Sequence, residues 1–247
     1  MPAPNIPPGG LDAEVKILRG PELLRLAPKV AMMHPGWDRR VTVWWTDGKD
    51  EHWPDDTEDT GGSRVAGQMA HSKVWTEPSA WDQGQLLEAT VLVDLKERIA
   101  KSAQPAYGQP ALGGVMQVSI YPFRHEVFST LCHELLHVAQ AWELGDRFGA
   151  AYVAETFIGQ VGDPFNLNPR PGFGTGSIFD PKRGYFRNSF EVDARQFGQK
   201  QLSANITDVN DGKFDDILPI ERMKKMLGEW NARNPVPPPK TPTRMRR

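Results

Sequence analysis

Five residues near the middle of the chain, His133-Glu-Leu-Leu-His137, constrain it more than any other feature. Residues four apart on an α-helix differ by about 40° around the axis, so His133 and His137 project from one face and can offer imidazole nitrogens to one ion. Glu134 is turned about 100° from His133, so it flanks that ion without ligating it, where its carboxylate can take a proton from metal-bound water. Zinc lowers the pKa of such water to about 7, which makes Glu134 the expected general base and proton shuttle of a hydrolase. The flanking residues predict a helix buried nearly all round: Val127, Leu131, Leu135, Val138 and Trp142 recur at helical spacing, with Phe128, Cys132, Leu136 and Ala139 beside them. Unpaired buried polar groups cost about 1–3 kcal/mol each, so the two histidines and the glutamate need partners. A hydrogen-bonded pair of core histidines is the competing reading.

The rest of the chain reads as one mixed α/β unit with extended ends. Residues 1–10 carry four prolines and form an expected N-terminal arm, 11–230 the domain, and 231–247 (ending PPPKTPTRMRR) a Pro-rich basic tail. Strands are predicted over 13–19 and 40–46, with a Leu-rich helix opened by Pro21 between them, giving either a β-α-β unit or a β-α pair and a returning strand. Residues 64–75 and 88–95 are candidate strands, although 87–100 also suits a helix start. Residues 114–123 alternate and end near a proline, which predicts a strand just before the motif helix. An amphipathic helix is expected from about 216 to 230. Asp208-Val-Asn-Asp-Gly-Lys-Phe-Asp-Asp216 has its glycine one residue too early for a calcium loop, so it reads as an Asn-Asp-Gly turn capping that last helix. The acidic run 47–62 and the Gly/Pro-studded run 162–184 are expected loops.

A catalytic zinc takes three protein ligands and keeps one open position. Glu143 lies six residues past His137, but Gln140 stands where a chain-reversing glycine would be needed, and a helix running on to Gly145 would carry Glu143 away. Glu191 and Asp193 sit in Asn188-Ser-Phe-Glu-Val-Asp-Ala194, which looks like the start of a second helix, and Glu191 is the favoured ligand. Tyr185, Arg187 and Tyr152 are candidates to stabilise a developing oxyanion, with Tyr185 favoured for its nearness to Glu191.

The run STLCHELLHVAQAWELG followed about fifty residues on by GYFRNSFEVDAR resembles gluzincin-like zincins, whose HExxH precedes Glu-x-x-Ala. It is especially similar to zincin-like domains in proteins associated with bacterial contractile injection particles. The resemblance covers roughly residues 114–197 and implies an α+β, zincin-like fold: a mixed twisted sheet packed on the buried motif helix, with a second ligand-bearing helix. It implies that His133, His137 and Glu191 are zinc ligands, Glu134 the base and Ala194 the small residue of the second motif. Many relatives place Asp directly after that alanine to orient a ligand histidine, whereas this chain has Arg195. The expected activity is zinc-dependent hydrolysis of peptide bonds. The alternative is a catalytically weak or silent zincin-fold subunit of a phage or injection particle, docked through its Pro-rich ends.

Composition removes several other classes. Lys+Arg 29 against Asp+Glu 31 leave a net charge of −2, so no general field favours nucleic acid or an anionic membrane. Cys132 is the only cysteine, which excludes an intrachain disulfide, and its position beside His133 turns it away from a shared ion. A buried structural thiol is expected there. Neither a signal-like N-terminus nor a spanning apolar run is visible, so a soluble, cytoplasmic or particle-associated protein is expected, with a peptide or protein as substrate.

Overall fold

The computed structural model describes residues 13–47, 67–75, 86–103, 118–161 and 187–235, with the backbone alone at 67–75 and 159–161. The expected arm at 1–10, the loop at 162–184 and all but the first residue of the acidic loop at 47–62 fall outside these residues, as do Tyr185 and all but the first part of the C-terminal tail. Among the described residues four strands form one sheet: β1 (Ala13–Leu18), β2 (Asp38–Thr46), β3 (Gly67–Trp75) and β4 (Leu86–Asp94), in the order β1-β2-β4-β3. β2 and β4 run parallel, and β1 and β3 lie antiparallel to them on either side, so the sheet is mixed. Short helices α1 (Gly20–Leu26) and α2 (Pro28–Ala31) connect β1 to β2. Of the two arrangements open from sequence, the chain therefore takes the antiparallel return. Both 87–100 readings hold in part, because β4 ends at Asp94 and α3 (Leu95–Ser102) starts there. Asp94 makes that switch local: its side chain accepts a hydrogen bond from the Glu97 amide at 3.0 Å, capping α3.

Period-two alternation gives the sheet its inner face. Val41, Val43 and Trp45 of β2 stand beside Ala89, Val91 and Val93 of β4, and all six belong to the main core. Trp44 and Leu92, pointing the other way, form a separate small cluster. Across the inner face lies α4 (Ile120–Leu144), the motif helix, with Val127, Phe128, Leu131, Leu135 and Val138 fully buried. Each such side chain contributes about 1.5–3 kcal/mol relative to exposure, so the helix is held by its packing. The Trp142 indole donates to the Glu88 carbonyl of β4 at 3.1 Å, tying the C-terminal half of α4 to the sheet. Cys132 is buried as expected, its thiol against the Leu26 carbonyl at 3.6 Å, and burial pushes its pKa up.

The strand expected over 114–123 is corrected: Ile120-Tyr-Pro-Phe123 is the first turn of α4, and 114–117 lie outside the described residues. Pro122 breaks a helix interior because it lacks an N–H, yet in the first turn that N–H has no helical partner to lose. Ser119 in extended conformation precedes it as N-cap. The helix runs to Gly145, where a φ of +56° suits glycine and ends it, leaving Glu143 exposed.

A 3₁₀ turn leads into α5 (Phe148–Val161), and the described chain resumes at α6 (Ser189–Asn210) and α7 (Ile220–Arg233). The Asn-Asp-Gly turn closes α6 and does not cap α7, a second correction. Gly212 adopts φ +77° just past the C-cap Asp211, the left-handed stop that glycine permits. Asp215 and Asp216 serve neither helix start. They bind Arg124 and Arg25, each at 2.8 Å. The last helix thus begins four residues later than expected and continues three residues past Trp230. The outcome is a mixed helix-and-sheet architecture compatible with α+β. Among the described residues no helix is long and apolar enough to cross a membrane.

Candidate metal centre

Two helices build the site. α4 carries His133, Glu134 and His137 on consecutive turns, and the first turn of α6 carries Glu191. Their close approach depends on Gly198 of α6: a Cβ there would lie 2.5 Å from the Ser129 carbonyl and 3.4 Å from the His133 amide, both backbone atoms of α4. Only a residue without a side chain lets the two helices meet one turn from the first histidine. Gly198→Ala is expected to force α6 outward, costing about 1–3 kcal/mol as overpacking does. It should weaken metal binding in parallel. Denaturant unfolding and a zinc competition titration check this, and unchanged values in both would show that α6 is free to shift.

The start of α6 is fixed as firmly. Asn188, completely buried, accepts from the Phe190 amide at 2.9 Å as N-cap. Its amide nitrogen donates to the Tyr152 carbonyl at 3.0 Å and the Thr156 hydroxyl at 2.7 Å, both on α5. Such a cap contributes about 1 kcal/mol and sets where the helix begins, and so where Glu191 points.

The donor atoms converge. His133 Nε2 and His137 Nε2 are 3.2 Å apart, His137 Nε2 lies 3.1 Å from Glu191 Oε1, and His133 Nε2 lies 3.5 Å from Glu191 Oε2. Two nitrogens and an oxygen bonded to zinc at about 2.0–2.1 Å in a tetrahedron would stand about 3.3 Å apart, so the spacing fits. Glu134 Oε1 is 3.8 Å from His133 Nε2, beside the set. His133, Glu134 and His137 also stand out as a metal-holding group on α4 alone. Glu134, His137 and Glu191 are all buried, at 4%, 5% and 3% exposure. Two buried carboxylates lie 3.8 and 3.5 Å from His133 Nε2, and imidazole with carboxylate donors is a set that suits a divalent ion.

Three partners of this set were not assigned from sequence. Gln140, noted only as the residue that excludes a glycine-turn third ligand, accepts at Oε1 from His137 Nδ1 at 2.8 Å and reaches the Phe190 carbonyl at 3.4 Å. It therefore fixes the tautomer that leaves Nε2 for an ion, the role an outer carboxylate often plays. The i+3 spacing from His137 was the available signal. Tyr152, one of three oxyanion candidates, donates to Glu191 Oε1 at 2.8 Å. Arg195, the departure from the resembling pattern, reaches Glu191 Oε2 at 3.4 Å from one turn on. Asp193 faces solvent and Glu143 is exposed at the helix end, so neither joins the set. His125 binds the Asn210 side chain at 2.7 Å and His34 packs on Trp37, both apart from it.

Charge follows geometry among these side chains. Burial works against ionisation of Glu191, but hydrogen bonds from both histidines outweigh it and hold the carboxyl well below the usual carboxylate range. Burial likewise works to lower His137, yet the hydrogen bond to Glu191 and the charges of Glu134 and Glu191 raise it. A raised histidine stabilises the fold fully below its unfolded value of about 6.5 and loses that contribution as pH rises through the higher folded value. Glu191's share is lost only as strong acid is reached. Metal binding runs the other way, because the imidazoles must be deprotonated. As pH rises past about 6.5 and through the higher folded value, the protein without zinc should lose this part of its stability while added zinc stabilises it increasingly. Denaturant midpoints with and without zinc measure the two trends, and parallel trends would contradict them.

Comparison with family models, with curated proteins and with solved structures finds no significant match, so the functional reading rests on this geometry.

Proposed function

We propose that the chain is a zinc-dependent metallopeptidase of zincin-like, gluzincin type, with His133, His137 and Glu191 as ligands and Glu134 as general base. The observation that supports it is the 3.1–3.5 Å convergence of two imidazole nitrogens and a carboxylate from a separate helix, with a second buried carboxylate alongside. Bound zinc would supply Lewis acidity, polarising a carbonyl and lowering the pKa of water at its open position to about 7. Glu134 then takes the proton from the attacking water and passes it to the leaving amine. Gln140 keeps His137 in its ligating tautomer, and Tyr152 holds one Glu191 oxygen. β3, whose outer edge is unpaired among the described residues and which α4 overlies, offers backbone groups on which an extended peptide can add as a further strand. The test is cleavage of a broad peptide mixture by the zinc-loaded protein, with Glu134→Gln beside it.

A non-hydrolytic zincin-fold subunit of a particle is the second reading. Ala150, Val153, Ala154, Phe157 and Ile158 form an exposed apolar stripe along α5, of the kind a subunit carries against a neighbour. Stoichiometric zinc with no cleavage of any peptide in the mixture would favour it.

A further inference from the structure

Glu191 gives the centre two unlike sides. Its Oε1 faces His137 Nε2 at 3.1 Å and accepts from the Tyr152 hydroxyl at 2.8 Å, whereas its Oε2 faces His133 Nε2 at 3.5 Å and Arg195 Nη1 at 3.4 Å. The Oε2 side is polar. The Oε1 side is aromatic: the rings of Phe148 and Tyr152 are centred 6.5 and 6.2 Å from the His137 imidazole. Phe190 completes the group, 5.7 Å from Phe148 with the planes at 72° and 6.3 Å from Tyr152 with the planes at 20°. Phe148 and Tyr152 are themselves 6.0 Å apart, so each ring stands at a favourable pairing distance from the other two.

The packing of the fold does not account for these rings. Phe123 and Phe128, which fill the core, are fully buried, whereas Phe148, Tyr152 and Phe190 are only half-buried. Among the described residues, neither Phe148 nor Phe190 belongs to the main core or to the side chains packed against it. Nor are the rings needed to join α5 to α6, because Asn188 already donates to the Tyr152 carbonyl and the Thr156 hydroxyl. Large rings left partly in water forgo some of the stabilisation that full burial gives, and these do so together beside two of the metal-ligand donors. An extended peptide sends successive side chains to opposite sides, from Cα atoms about 3.8 Å apart. With its carbonyl at the donor set, such a peptide turns a neighbouring side chain towards the rings.

We propose that Phe148 and Phe190 form a substrate subsite for an aromatic side chain next to the scissile bond, so that the centre selects peptides carrying an aromatic residue there. This rests on the metallopeptidase reading and narrows it to a substrate class. An incoming ring makes edge-to-face or offset contact with both phenyl groups, which a saturated side chain of equal size cannot. Phe148 and Phe190 are thus specificity-determining residues, while the Tyr152 hydroxyl stays on Glu191.

The experiment titrates zinc-loaded Glu134→Gln protein by calorimetry with N-acetylated, C-amidated alanine pentapeptides whose central residue is Phe, cyclohexylalanine, Gln or Ala. The Phe peptide should bind about tenfold or more tightly than the all-alanine peptide, in keeping with burial of a phenyl ring. Cyclohexylalanine should gain less, and Gln nothing. In Phe148→Ala and Phe190→Ala the advantage of Phe should fall below about threefold, while zinc affinity and binding of the all-alanine peptide are kept. The corresponding leucine variants, which retain bulk, should fall between and show the same order if an alanine variant does not fold. Equal binding of the Phe and all-alanine peptides, cyclohexylalanine as good as Phe, or a Phe preference that persists in both alanine variants overturns the proposal. Hydrolysis by zinc-loaded protein with Glu134 intact separates the two readings. Preferential binding of Phe with no hydrolysis of any peptide upholds the subsite and removes the peptidase, hydrolysis without that preference does the reverse, and no zinc uptake removes both.

Discussion

Glu134→Gln should reduce peptide hydrolysis by about 10²–10⁴-fold, the range a positioned general base contributes, while zinc affinity stays unchanged. The amide matches the carboxylate in shape but cannot accept the proton that the attacking water must lose. Glu134 is 4% exposed and sits 3.8 Å from His133 Nε2, beside the donors and not among the three that face one another most closely. The substitution also removes a buried charge, so the fold is expected to persist. A fall in activity with matching loss of zinc would make Glu134 a ligand. Full activity would remove it from the chemistry altogether. Initial rates on a quenched-fluorescence peptide, with metal content determined on the same samples, separate these outcomes.

Glu191→Ala carries the second large effect. Substitution of residues that merely orient a ligand already costs about 10–100-fold in metal affinity, so loss of the third ligand should exceed 100-fold. The alanine also strips a partner from Tyr152, Arg195 and both histidines. Glu191→Gln is the cleaner companion, since it keeps shape and most contacts while removing the charge. Asp193→Ala, on the same helix but exposed, should leave zinc affinity as it is. Competition against a chromophoric chelator measures all three. Equal affinity of Glu191→Ala and the parent protein would move the third ligand elsewhere.

What the sequence made legible was whatever short-range chemistry decides. The HELLH spacing alone places two imidazoles on one helical face, and Asn188 followed by Ser-Phe-Glu reads as a capped helix start. Both appear in the structure, α6 beginning at Ser189 with Asn188 as its cap. Strand content over 13–19 and 40–46 was equally plain from β-branched and aromatic residues, and the strands run over Ala13–Leu18 and Asp38–Thr46. Position in the chain was harder to read than type. Pro122 looks the same at the end of a strand as in the first turn of a helix, and only the packing of Phe123 and Val127 into the core decides between them. The Asn-Asp-Gly turn was recognised, but whether it ends one helix or begins the next depends on Arg124 and Arg25, more than 80 residues away, which bind Asp215 and Asp216 just before α7.

The site divides in the same way. His133, Glu134 and His137 follow from spacing, and Glu191 from its place in a helix that had to pack nearby. Gln140 and Arg195 follow His137 and Glu191 at helical spacing, whereas Tyr152 and Gly198 act through distances that no local pattern encodes. Gly198 in particular reads as a weak point in a helix until Ser129 is placed 2.5 Å from its missing Cβ. Its cost in helix propensity is offset by the approach that sets Glu191 against the two histidines.

The most direct test is X-ray absorption at the zinc edge of the zinc-loaded protein. One zinc per chain with two imidazole nitrogens and oxygen donors at about 2.0–2.1 Å, and the loss of the imidazole signature in His133→Ala or His137→Ala, is the result expected. A sulfur shell at about 2.3 Å, which only Cys132 or a methionine could supply, or a zinc whose environment is unchanged in those variants, would contradict the centre described here.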